Sequence, residues 1–175
     1  IEKNRVILNI GGIANITYLP KQGECQGFDT GPGNMLMDGW SQIHLGTAHD
    51  HNGKWAASGS IHKKLLNQLK RCDFFSRPAP KSTGRELFNR HWLEKQLLNY
   101  NHVPPQDIQA TLLALSAETI TDAIKGLEKP VQEIFVCGGG AMNVRLMDAL
   151  DQLLPSATVT TTDALGLGPN WVEAC

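Results

Sequence analysis

The 175-residue chain is poor in aromatic residues (6%) and has only four cysteines. Cys25, Cys72, Cys137 and Cys175 are separated by 47, 65 and 38 positions, with no C-x-x-C pair. That spacing excludes a zinc ribbon and argues against a disulfide framework, so reduced thiols of structural or incidental role are expected. The chain also lacks a surplus of either charge. Lys and Arg total 16 against 17 Asp and Glu, a net charge of −1. There is no basic excess to neutralise a nucleic-acid backbone or to hold the chain on an anionic membrane. No apolar run approaches the ~18 residues of a membrane span. The opening Ile1-Glu2-Lys3-Asn4-Arg5 has neither an initiator Met nor the apolar stretch of a signal peptide, so a trimmed chain is expected. What remains is an ordinary globular composition, 41% hydrophobic with a mean hydropathy of −0.23, at a length suited to one domain.

Glycine is present but unevenly placed. Ten of the 17 lie in the first 60 residues and three form Gly138-Gly139-Gly140, whereas 61–130 holds only Gly84 and Gly126. Such clusters mark sharp turns or close backbone approach. Residues 5–10 and 13–19 read as two strands joined too tightly for a crossover, hence an antiparallel hairpin. Glu24 to Asp29 reads as a third strand, with Asp29 at its carboxyl end. A helix is expected from Pro32–Asn34 through Ile43, then a loop over 46–60. An amphipathic helix from Ile61 to Leu69 should bury Ile61, Leu65, Leu66 and Leu69. Helices at about 86–98 and 105–127 precede a buried strand at 131–137, a helix at 143–153, a strand at 157–161 and the start of a last helix at 170–174. Three meandering strands followed by alternating α and β imply a mixed sheet with helices on its faces.

Five segments have the residue types for chemistry. In Asn9-Ile10-Gly11-Gly12-Ile13-Ala14-Asn15, two glycines at a hairpin tip suit either a phosphate-binding nest or a plain turn needing positive φ. In Gly27-Phe28-Asp29-Thr30-Gly31-Pro32-Gly33-Asn34, Asp29 precedes a helix N-terminus, where ligands of open α/β sheets collect. It reads as a general base or metal ligand; the alternative makes Asp29 or Asn34 a helix cap. Cys137-Gly138-Gly139-Gly140-Ala141 would let a nucleotide approach, but it is not G-x-G-x-x-G, so a dinucleotide site is unsupported. Lys81-Ser82-Thr83-Gly84-Arg85-Glu86 lacks the glycines of a P-loop, and a capping box with Ser82 or Thr83 and Glu86 is favoured. His44, His49, Asp50 and His51 are metal-capable, yet their spacing favours solvated loop histidines over a metal-dependent hydrolase.

Taken together and in order, these motifs closely resemble the anhydro-N-acetylmuramic acid kinase family. Trp55-Ala56-Ala57-Ser58-Gly59, Asn143 after the glycine run, and Thr162-Asp163 extend the likeness along essentially the whole chain. The resemblance implies the sugar kinase, Hsp70 and actin superfamily, with two RNase-H-like domains around a cleft. Residues 1–175 would then be the second, C-terminal domain, truncated at both ends, with 46–130 a largely helical insertion. It further implies ATP and Mg²⁺ as cofactors and anhydro-N-acetylmuramic acid as substrate, in cell-wall recycling in the cytoplasm. Asp29 would be the catalytic base. Gly11, Gly12, Gly138, Gly139 and Gly140 would bind the nucleotide, and Asn34 and Glu173 would face the sugar. The partner would be the absent N-terminal domain, with a homodimer left open. The sequence around Gly166 to Glu173 departs from the family's Asp-rich form. A non-catalytic nucleotide-binding module of the same superfamily is the alternative reading.

Overall fold

The computed structural model describes residues 2–166 and Gly168. Strands β1 (Arg5–Ile10), β2 (Ile13–Leu19) and β3 (Gln26–Pro32) form an antiparallel meander. Strand β4 (Glu133–Cys137) lies parallel to β1, and β5 (Thr158–Thr161) parallel to β4. The sheet order is β3-β2-β1-β4-β5. Seven α-helices accompany it among the described residues: α1 (Met35–Leu45), α2 (Lys54–Ala57), α3 (Lys63–Leu69), α4 (Asp73–Ser76), α5 (Arg90–Gln96), α6 (Pro105–Lys125) and α7 (Val144–Leu153).

Alternation along the strands decides which face is covered. Val6, Leu8 and Ile10 on β1 and Ala14, Ile16 and Tyr18 on β2 are buried together with Ile134 and Val136. They join α1, α6 and α7 in one hydrophobic cluster. Each fully buried aliphatic side chain there is worth roughly 1.5–3 kcal/mol. On α6 the stripe Ile108, Leu112, Leu115, Thr119 and Ile120 is buried. So are Ala110, Ala114 and Ala117, because α1, α2, α3 and α7 also pack against this helix.

The hairpin, the glycine-flanked helix and the alternating second half follow the sequence pattern, with four differences. Ile61 precedes α3 and is 52% exposed, so only Leu65, Leu66 and Leu69 form the buried face. His62 starts that helix instead, its Nδ1 accepting from the Leu65 N–H. The stretch 46–60 holds two single turns, at His51–Gly53 and Lys54–Ala57. The helix expected from 86 begins only at Arg90, where the Asn89 side chain accepts from the Trp92 N–H. Finally, β3 continues to Pro32, because Gly31 and Pro32 still pair with Ala14 and Ile13. Asp29 therefore lies within the strand rather than at its end. The helix expected at 170–174 falls outside the described residues.

Candidate active site

Strand register brings one polar row onto a single face. Asp29 pairs with Asn15, Asn15 with Asn9, and Asn9 with Cys137. Directly opposed residues project to the same side of a sheet, here the side opposite Val6, Leu8 and Ile10. A bulge makes this possible. Ala14 pairs with Gly31 and Asn15 with Asp29, which leaves Thr30 as the extra residue on β3. Thr30 is buried, and its hydroxyl donates to the Ala14 carbonyl at 3.2 Å. Continued without the bulge, the register of Ile13 and Ala14 would set Asp29 opposite Ile16 and turn its carboxylate towards the core.

The Asp29 carboxylate is held from outside the sheet. Its Oδ2 accepts from the Ser82 hydroxyl at 3.1 Å and from the Thr83 N–H at 2.8 Å. The Asp29 N–H donates to the Lys81 carbonyl at 2.9 Å, so residues 81–83 run along the free edge of β3. The expected capping box is thereby overturned. No helix starts at Thr83; residues 84–88 make a turn on the Gly84 carbonyl, and the donors of Ser82 and Thr83 are spent on Asp29. Asp29 and Asn34 are not caps either. Asn34 sits at the N-terminus of α1 without a capping bond, and its Nδ2 donates to the Ile10 carbonyl at 3.2 Å. A cavity of about 430 Å³ opens beside Asp29, lined also by Asn15, Thr17, Gly27, Lys81 and Ser82.

A second cavity of about 420 Å³ lies among Asn34, Asp38, His49, Asn52, Gly139 and Met142. The glycine turns around it divide into two kinds. Gly138 has φ +81, and a Cβ there would meet Asn9 Oδ1 and the Ile10 backbone; one on Gly140 would meet the Ile10 side chain. These two are required by the fold. Gly139 is exposed, and among the described residues a Cβ there would find only Asn34 Nδ2, at 3.6 Å. Gly12 likewise would meet, among the described residues, only Met35 Cβ, at 3.7 Å. Neither Gly11 nor Gly12 has positive φ, so the hairpin does not demand glycine on that ground. The carbonyls of Gly11 and Gly12 accept the N–H groups of Asn34, Gly33 and Met35, which locks the hairpin tip to the start of α1.

Asp38 lies outside every sequence motif, although it stands four residues after Asn34, a spacing that puts both on one helix face. Burial pushes its carboxyl up to about 6; His49 opposes the shift and Asp50 adds to it. The folded-state value lies above the unfolded one, so the native state binds the extra proton and stability falls as pH rises from about 4 to about 6. Asp38→Asn should therefore raise the melting temperature by a few degrees near pH 8 and leave it unchanged near pH 4. An equal gain at both pH values would assign the effect to packing.

Asp50 is committed elsewhere. Its carboxylate accepts the N–H groups of Trp55 and Ala56, each at 2.9 Å, and so starts α2. His49 and His51 are exposed, and among the described residues no three His, Cys, Asp or Glu side chains converge. No described helix is long and apolar enough to cross a membrane. Asn9, in the hairpin motif, has its Oδ1 buried beside Gly138 with no hydrogen-bond partner among the described residues. Glu173 lies outside the described residues.

A five-stranded mixed sheet with this meander and two parallel crossover strands defines an α/β domain of the RNase-H-like type used by actin- and Hsp70-like ATPases. Solved structures agree at the level of fold. The activator of 2-hydroxyisocaproyl-CoA dehydratase from Clostridium difficile, with bound ADPNP, aligns with a TM-score of 0.58 at 14% identity, covering 99% of this chain and 58% of that one. Xylulose kinase from Lactobacillus acidophilus aligns at 0.53 and 13% identity, covering 97% and 40%. In sequence, the profile of the anhydro-N-acetylmuramic acid kinase family matches residues 1–175. The protein of that name from Shewanella amazonensis is 55% identical over 174 residues, and the one from Nitrosomonas europaea 50% over 172. The chain belongs to the anhydro-N-acetylmuramic acid kinase family. It spans about 47% of the length of these relatives.

Proposed function

We propose that the chain is the second domain of a two-domain cytoplasmic kinase, with 46–130 as its helical insertion, acting on 1,6-anhydro-N-acetylmuramic acid in peptidoglycan recycling. The observation that carries this reading is the state of Asp29. One carboxylate oxygen is fixed by two donors, while Oδ1 has no partner among the described residues and the carboxylate borders an open cavity. An anchored carboxylate with one free oxygen suits proton abstraction. Asp29 takes a proton from water; the water oxygen bonds to C1 of the sugar as the C1–O6 bond of the anhydro bridge breaks. O6 leaves with the electron pair and would take the γ-phosphoryl group, whose bond to the bridging β-phosphate oxygen breaks as ADP departs with that pair, giving N-acetylmuramic acid 6-phosphate. Asn34 would contact the sugar, as would Glu173.

The nucleotide would bind at the cavity beside Gly139. Gly12 and Gly139 are exposed glycines that the fold does not require, and they leave backbone open to close approach. With Gly11, Gly138 and Gly140 they would hold ATP, which when bound supplies the γ-phosphoryl group. Mg²⁺ bound with the nucleotide would help to carry the charge of its phosphates.

Phosphoryl transfer depends on positioning and on charge stabilisation from several sides. The described chain provides one wall. Turnover of ATP with the anhydro sugar should therefore be found in the complete two-domain protein and be absent from residues 1–175 alone. Equal rates per molecule would show a whole active site here. ATP binding without turnover in the complete protein would establish the non-catalytic module instead.

A further inference from the structure

We propose that Ser82 is a positioning residue for the reaction, acting through Asp29, and that residues 80–83 form a strap whose task is to aim this carboxylate. The inference rests on the reading of Asp29 as the base. The free edge of β3 cannot orient the side chain by itself. An Asp has two rotatable bonds, and a half-buried carboxylate beside a cavity would otherwise choose its direction by solvation. The strap fixes the strand and removes that freedom at two points. The Lys81 carbonyl accepts the Asp29 N–H, and Oδ2 accepts from the Thr83 N–H at 2.8 Å and from the Ser82 hydroxyl at 3.1 Å. Both side-chain bonds converge on Oδ2, so Oδ1 is left as the oxygen available to water.

The strap is itself anchored away from the cavity. The Lys81 ammonium donates to the Phe74 and Phe75 carbonyls, each at 3.2 Å, and lies 4.7 Å from the centre of the Phe74 ring. Phe74, Phe75, Phe88 and Trp92 pack ring against ring, with centroids 5.2–5.8 Å apart. Phe75 also fills the space where a Cβ on Gly31 would sit, two residues beyond Asp29. One aromatic cluster thus fixes both the strap and the strand that carries the carboxylate. Ser82 is exposed and contributes little to this packing, so its hydroxyl can be removed without disturbing the anchor.

The test is steady-state kinetics on the complete two-domain protein with Ser82→Ala, Ser82→Thr, Asp29→Asn and the double variant. Ser82→Ala should lower kcat about 10- to 50-fold, the scale of one lost bond to a charged group, with KM for the sugar within about twofold and the melting temperature unchanged. Ser82→Thr should restore most of kcat. On the Asp29→Asn background, Ser82→Ala should change the residual rate by less than about twofold, because a residue acting through Asp29 has nothing left to act on. A normal kcat for Ser82→Ala, or full additivity in the double variant, would overturn the proposal while leaving Asp29 as the base. Near-normal turnover in Asp29→Asn would instead remove the reading on which it stands.

Discussion

Replacing Asp29 by Asn in the full-length protein should lower kcat by on the order of 10²–10⁴ while leaving KM for the sugar nearly unchanged. The substitution keeps the size of the side chain and an oxygen able to accept from Ser82 and Thr83, so the strap stays docked on β3. What it removes is the basic lone pair facing the cavity. Because the fold loses no bond of consequence, the melting temperature should stay within about two degrees. Steady-state kinetics with ATP and 1,6-anhydro-N-acetylmuramic acid, beside a thermal melt, checks both halves. Turnover close to the unsubstituted protein would remove Asp29 from the chemistry and make its bonds to Ser82 and Thr83 an edge-strand device.

The glycine run predicts two opposite outcomes one residue apart. Gly139→Val should weaken ATP binding at least about tenfold and sugar binding much less, with a nearly unchanged melting temperature. Gly139 is exposed with no close neighbour except Asn34 Nδ2, so the protein can accept a side chain there and only a ligand would be displaced. Gly140→Val should instead cost about 3 kcal/mol or more, or prevent folding, since its side chain would overlap Ile10 in the packed core. Calorimetric titration of each ligand and melting of each variant separate the two. Equal loss of both ligands with a lowered melting temperature in Gly139→Val would make that glycine structural as well.

Much of the architecture was legible along the chain. The β1–β2 hairpin follows from two β-branched runs separated by Gly11-Gly12. The stripe Ile108, Leu112, Leu115 and Ile120 announces α6, and the apolar run into Cys137 announces β4. Ile61 shows how such a pattern overreaches: it keeps the period of Leu65 and Leu69, but His62 starts the helix and leaves Ile61 outside it. Ser82, Thr83 and Glu86 show the same at a site. Their spacing satisfies a capping box, yet the donors are drawn 53 and 54 residues away to Asp29, a partner that no local rule contains.

Sequence by itself determined the order of the five strands and of the longer helices, the family and the candidacy of Asp29, because periodicity and contiguous motifs are local properties of a chain. Tertiary structure alone decided where the Asp29 carboxylate stands and what holds it. The bulge at Thr30 turns it away from the core and into line with Asn15 and Asn9. The edge of β3 receives a strap held by a remote aromatic cluster. Burial beside the second cavity raises Asp38. Packing around Ile10 divides Gly138 and Gly140, which the fold needs, from Gly139, which it does not. Each of these depends on which distant groups meet and how much water they lose in meeting, and neither quantity is written in the spacing of residues along a chain.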